Sequence, residues 1–89
     1  MSQVRDISRE IREEYKDARF DAKIVNAWEY NDVQIIIYSL RVLDSKLYII
    51  TKRVNGNEYP LGIGTTPCTA LKDASRWDKV TEQIVKSEC

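Results

Sequence analysis

Acid–base work in this chain falls to Asp and Glu alone, because none of its 89 residues is histidine. That removes the usual proton shuttle near neutral pH and the commonest zinc and copper ligand. Ser-His-Asp triads and Cys-His nucleophilic pairs are impossible. Fourteen Asp and Glu remain as candidates for acid–base work, and no pair among them is singled out by spacing. The two cysteines, Cys68 and Cys89, lack C-x-x-C spacing. They are therefore expected to form neither a structural zinc site within one chain nor a disulfide framework. Cys68 sits in a first helical turn, where a thiol can become nucleophilic. Beside Ala70 and Leu71, with no base or second thiol nearby in sequence, it reads as a small buried hydrophobe. No catalytic residue, metal or cofactor is expected, and the chain reads as a non-enzyme.

The stretch Tyr59–Pro67, "YPLGIGTTP", is the closest approach to a phosphate loop. A Walker loop needs G-x-x-x-x-G-K-[ST], and a dinucleotide fingerprint needs G-x-G-x-x-G opening a βαβ unit. Gly62-x-Gly64 has no third glycine, and no lysine precedes Thr65. The glycines are expected to let the chain leave a strand at unusual φ, with Thr66 and Pro67 starting a helix. Free N–H groups near Gly64 and Thr65 leave an anion contact as a candidate there.

The elements that would position these residues follow from periodicity. "VRDISREIREEYKDARF" places Val4, Ile7, Ile11, Tyr15 and Ala18 on one helical face. Its cations (Arg5, Arg9, Arg12, Lys16, Arg19) and anions (Asp6, Glu10, Glu13, Asp17) form two further stripes. Pairs such as Asp6–Arg9 and Glu13–Lys16 are expected to tie them. Four strand candidates follow: "AKIVNAWEY", "VQIIIYSLRVL", "LYIITKRV" and "EYPLGI". Asn31-Asp32, Asp44-Ser45 and Asn55-Gly56 close the first three, Asn-Gly being the strongest short hairpin signal. Thr66 to about Val85 reads as one helix, with Ala70, Leu71, Ala74, Trp77, Thr81, Ile84 and Val85 on one side. The expected fold is α+β: a four-stranded antiparallel meander with N- and C-terminal helices on one face (α-β-β-β-β-α), a single domain spanning 1–89.

Two-residue loops predict a register. Arg53 faces Glu58, Lys52 faces Tyr59 and Ile50 faces Leu61. Trp28 faces Ile35, and Ala27 faces Ile36. Across the middle turn, Val42 faces Leu47, Leu40 faces Ile49 and Tyr38 faces Thr51. One side then collects Ile24, Trp28, Ile35, Ile37, Tyr48, Ile50, Leu61 and Ile63 as the core. The other collects Val25, Ala27, Ile36, Tyr38, Leu40, Val42, Leu47 and Ile49, although a sheet with one wet side should alternate. Burying even about 500 Å² of such a face contributes on the order of 12 kcal/mol before association costs. Ile36, Tyr38, Leu40, Val42, Leu47 and Ile49 are therefore the expected partner-binding residues, for another protein or for a second copy in a sheet-face homodimer.

Lys72, Arg76 and Lys79, with Lys86, recur at helical spacing on the last helix and are the candidate nucleic-acid contacts. Tyr30 or Tyr38 would stack on bases. Fourteen Lys and Arg against fourteen Asp and Glu argue against a general nucleic-acid coat. The helix–strands–helix order is similar to that of the double-stranded-RNA-binding domain, whose second helix opens with a lysine-rich segment; here "TTPCTALKDA" is nearly uncharged. "GTTPCTALKDA" also resembles the end of the sheet in small HicB-type antitoxin domains, a Thr followed by an Ala-Leu helix. No residue role is carried over from either family. The leading expectation is a small protein-binding module, of the kind that phages and mobile elements use to inhibit host machinery. A nucleic-acid or nucleotide binder is the alternative. Without an apolar leader or membrane-length apolar run, the chain is expected in the cytoplasm and off the membrane.

Overall fold

The computed structural model describes residues 4–14 and 22–89. The order of elements is β1 (Arg5–Asp6), α1 (Ser8–Glu14), β2 (Lys23–Tyr30), β3 (Val33–Val42), β4 (Ser45–Val54), β5 (Asn57–Gly64), α2 (Pro67–Ser75) and α3 (Lys79–Glu88). The strands form one antiparallel sheet in the order β1-β2-β3-β4-β5. An α+β antiparallel meander is thus present, but it has five strands and three helices rather than the expected four strands and two terminal helices.

The helices also divide between the faces. α2 and α3 cover the side carrying Trp28, Ile35, Ile37 and Ile50, closing it with Ala70, Leu71, Ala74 and Ile84. α1 covers the opposite side, where Ile7 and Ile11 pack on Ala27 and Ile36. The i, i+4 spacing of Ile7 and Ile11 puts both on one helical face. At α1's start the Ile7 N–H donates to Ala27 O (2.9 Å). The Asp6 carboxylate accepts from both the backbone N–H and the hydroxyl of Ser8 (2.9 and 2.6 Å). Asp6 therefore caps the helix instead of pairing with Arg9. Tyr15, Lys16, Ala18 and Arg19 lie outside the described residues, so only part of the expected first helix is described.

Two irregularities correct the expected register. β2 shifts between Ile24 and Asn26. The extra residue, Val25, packs with the Trp28 cluster, and Ile24 packs with the α1 cluster. Strict alternation had assigned these two the other way round; a bulge flips the residues beyond it. On the other side of the sheet, Ile50 pairs with Gly62 and Thr51 with Pro60, leaving Leu61 unpaired between them. Ile63 consequently pairs with Ile49 and is 51% exposed instead of lying in the core. The middle turn is Leu43-Asp44, with Leu43 at φ 56°, and Val42 pairs with Ser45, Leu40 with Leu47 and Tyr38 with Ile49. That register is displaced by two residues from the expected one, which preserves the faces. The Trp28–Ile35, Ala27–Ile36, Lys52–Tyr59 and Arg53–Glu58 pairs form as expected.

The glycines of "GIGTTP" have a packing reason. A Cβ on Gly62 would stand 2.5 Å from Ala74 N, and one on Gly64 would stand 2.6 Å from Ala70 N. Neither residue has the positive φ that the turn Gly56 adopts (82°). Glycine is required because the backbone of α2 rests directly on β5, not because the strand ends in a special conformation.

The last helical stretch is broken. α2 ends at Ser75 and α3 begins at Lys79. Asp78 caps α3, its carboxylate accepting from the Thr81 N–H and hydroxyl (both 3.0 Å). The break throws Trp77 outward, to 74% exposure. Cys68 and Cys89, expected to stay unpaired, form a disulfide (Cα–Cα 5.8 Å) that ties the first turn of α2 to the residue after α3.

Candidate functional site

The face beneath α1 carries two unlike ends. At the β2–β3 and β4–β5 turns it is polar. A cleft of about 580 Å³ opens there, lined among others by Glu14, Glu29, Gln34, Arg53 and Glu58. Arg53 donates to both Glu14 carboxylate oxygens (2.9 and 3.0 Å) and to Gln34 (2.7 Å). Glu29 accepts from Arg5 at 2.9 Å and from Gln34 at 3.3 Å. Glu58 accepts from the Tyr38 hydroxyl (2.6 Å) and the Thr51 hydroxyl (2.7 Å). The Arg53 guanidinium holds the Glu14 carboxyl below its ordinary range, and Arg5 and Gln34 do the same for Glu29. Both shifts favour the charged form, as in a fixed ion-pair network; neither makes a proton donor at neutral pH.

The other end of this face is apolar. Leu40 pairs with Leu47, Tyr38 with Ile49, and Ile49 with Ile63. These pairs form a row of same-side contacts running from β3 to the outer strand. Leu40, Leu47 and Ile49 are half-buried. Val42 is 43% exposed, Ile63 51% and Leu43, at the turn, 92%. Ile36 belongs to a different layer. It is fully buried against α1 and supports the sheet from within, so it cannot line a partner surface as expected. Tyr38 packs partly against the same cluster and spends its hydroxyl on Glu58.

The sheet edges are blocked at several positions. β5 carries Pro60, which has no N–H, and the Ile63 N–H donates to Asp73 Oδ2 (3.1 Å). Along β2, Arg12 donates to the carbonyls of Ile24 (3.3 Å) and Val25 (2.6 Å), and Ile7 donates to that of Ala27. Such blocks deny an incoming strand its hydrogen bonds.

On the helical side, Lys72, Arg76 and Lys79 are all exposed, as expected. Gly64 and Thr65 do not form an open anion cradle: α2 fills the space above Gly64, and the Thr66 side chain already takes the Thr69 N–H (3.1 Å). Asp78 is almost buried and paired with Lys52 at 2.7 Å. Burial by itself would raise its pKa. Hydrogen bonds from Lys52, from the Thr81 backbone and from the Thr81 hydroxyl outweigh that, and its pKa lies below the ordinary value.

No known family model, characterised protein or solved structure matches the chain. Among the described residues, no helix is long and apolar enough to cross a membrane.

Sequence reasoning missed Ile63, Leu43 and Trp77 as surface groups. The signal for Trp77 was Asp78, an N-cap type three residues before Thr81 and directly before an apolar-periodic run. Ile63 depended on the bulge at Leu61, whose signal was Pro60 and Gly62 within a strand, and Leu43 on a turn position that carried no distinctive residue.

Proposed function

We propose that this chain is a small, non-enzymatic protein-binding module that acts by occupying a surface of another protein, as small inhibitors do. The supporting observation is the apolar row Leu40, Leu47, Ile49 and Ile63, flanked by Val42 and Leu43 at the β3–β4 turn. Large apolar side chains gathered on one exposed end of a sheet mark an interaction surface. Blocks at several edge positions disfavour strand addition, which favours contact through the face. The ion-paired polar end beside the row supplies the kind of polar rim that borders apolar interface centres.

Affinity capture from the source cell after nuclease treatment, with sedimentation of the pure protein alongside, tests the reading. Either a retained folded protein or a self-associated species is expected, and Leu43→Glu with Ile63→Glu should abolish it while the circular dichroism spectrum stays unchanged. A monomer that retains no protein, or retains only nucleic acid, contradicts the reading.

A further inference from the structure

Among the described residues, the most exposed aromatic side chain lies away from the apolar row. Trp77 is 74% exposed and Tyr59 52%. Helix and strand geometry bring them to one corner. Gly64 lies under Ala70 and Gly62 under Ala74. Stepping back two residues along β5 (about 7 Å) thus matches stepping forward four along α2 (about 6 Å). Continued in the same sense, Trp77, two residues past the end of α2, falls opposite the Pro60–Leu61 stretch next to Tyr59. A second route gives the same placement: Tyr59 pairs with Lys52, and Lys52 Nζ is 2.7 Å from Asp78, the residue after Trp77.

Exposed cations gather at this corner. Arg76 and Lys79 flank Trp77 and Asp78 in sequence, and Lys72 lies one turn back on α2; all three are exposed. Carboxylates lie nearby as well: Asp78 is paired with Lys52 and caps α3, Asp73 accepts from the Ile63 N–H, and Glu82 pairs with Lys86 at 3.7 Å. The cluster of cations is local, in a chain whose net charge is zero. An indole that anchors a protein partner is normally ringed by apolar groups that exclude water. Trp77 has cations beside it instead, the arrangement that pairs a base with its phosphates.

We propose that this corner binds single-stranded nucleic acid, with bases stacking on Trp77 and Tyr59 and phosphates held by Arg76, Lys79 and Lys72. The site lies on the α2–α3 side of the sheet, the face opposite the one that carries the apolar row, and uses none of the row's residues, so it stands or falls separately from the protein-binding reading.

The test uses the full chain and a fluorescently labelled oligothymidylate of about 12 nucleotides, with a duplex of the same length and poly-L-glutamate as comparisons. The chain has two tryptophans; Trp28 is 6% exposed, so quenching by the oligonucleotide reports on Trp77. Three phosphate contacts give a log–log salt slope of about −2, so raising salt from 50 to 200 mM should weaken binding about 16-fold. Trp77→Ala should weaken it about fivefold or more. Arg76→Gln should make the slope shallower by about 0.7 while the tryptophan quench at saturation persists. Trp77→Phe keeps a stacking ring and should recover most of the affinity lost in Trp77→Ala, which separates stacking from folding. No binding at 50 mM salt overturns the proposal. So does an unchanged affinity in Trp77→Ala, equal affinity for the duplex, or poly-L-glutamate that competes with the same dependence on Trp77; the last result would assign the corner to an acidic protein.

Discussion

The two faces of the sheet carry comparable runs of isoleucine and are finished in different ways. On the Trp28 side, two helices lie over the strands. Gly62 and Gly64 let α2 sit with its backbone against β5, and Ala70 and Ala74 are small enough to be fully buried at that contact. On the opposite side, Ile7 and Ile11, at the described start of α1, lie over Ala27 and Ile36. Beyond its reach the described residues place an ion-paired network at one end and a partly bare apolar row at the other. Burial on a sheet face is therefore set by how closely a helix lies on it as much as by strand sequence. The Ile35-Ile36-Ile37 run is buried throughout because both sides are roofed at that level.

Removing equivalent methyl groups from the two sides probes this contrast most strongly. Ile84→Ala should cost about 4 kcal/mol in urea unfolding, and Ile11→Ala about 2 kcal/mol, because the described cluster beneath it, Ile7, Ala27 and Ile36, is small and can settle into the space it leaves. Equal costs, or the reverse order, would break the contrast. The Cys68–Cys89 bridge braces only the two-helix side. Replacing both cysteines with serine should cost about 3 kcal/mol, on a chain-entropy account for a 21-residue separation. Amide protection should fall in α3 and remain in α1; loss in both would mean that the faces do not respond separately. Gly62→Ala should cost about 2 kcal/mol, since the added carbon meets helix backbone that must shift. A neutral result would show that α2 is not seated on β5.

The smallest expected effect is in acid. Asp78's pKa is depressed in the folded state. Its contribution to stability is thus complete above the unfolded value of about 3.9 and is lost as pH falls through the lower folded value. Asp78→Asn should cost about 1 kcal/mol at pH 7 and flatten that part of the acid unfolding curve. An acid limb of unchanged slope would contradict the role given to the Lys52–Asp78 pair.

Much of the sheet was legible because hairpin turns and residue alternation are local. Asn55-Gly56 fixed its hairpin, and Trp28–Ile35 and Arg53–Glu58 followed from counting outward from two-residue loops. What escaped the sequence was set by tertiary contact. The Val25 bulge carries no marker residue, yet it changes which side Ile24 occupies; Pro60 and Gly62 mark the Leu61 bulge, which changes which side Ile63 occupies, but counting outward from Asn55-Gly56 passes over them. The pairing of Cys68 with Cys89 needed α3 to fold back along α2, and that in turn needed the break that Asp78 makes. The glycines were recognised as positions of constraint, but the constraint was a helix above them, which one strand's sequence cannot display. Within the candidate surface, Leu40, Val42, Leu47 and Ile49 were readable from alternation. The burial of Ile36 was not, because nothing in β3 reveals that Ile7 and Ile11 dock upon it.

Methyl NMR with a soluble paramagnetic agent tests the division of helices between the two faces most directly. The methyls of Ile36 and Ile37, on opposite sides of β3, should both be shielded, while those of Leu43, Val42 and Ile63 should relax strongly in the isolated monomer. Strong relaxation at Ile36, or shielding of Val42 and Ile63 in a monomer, would contradict the account.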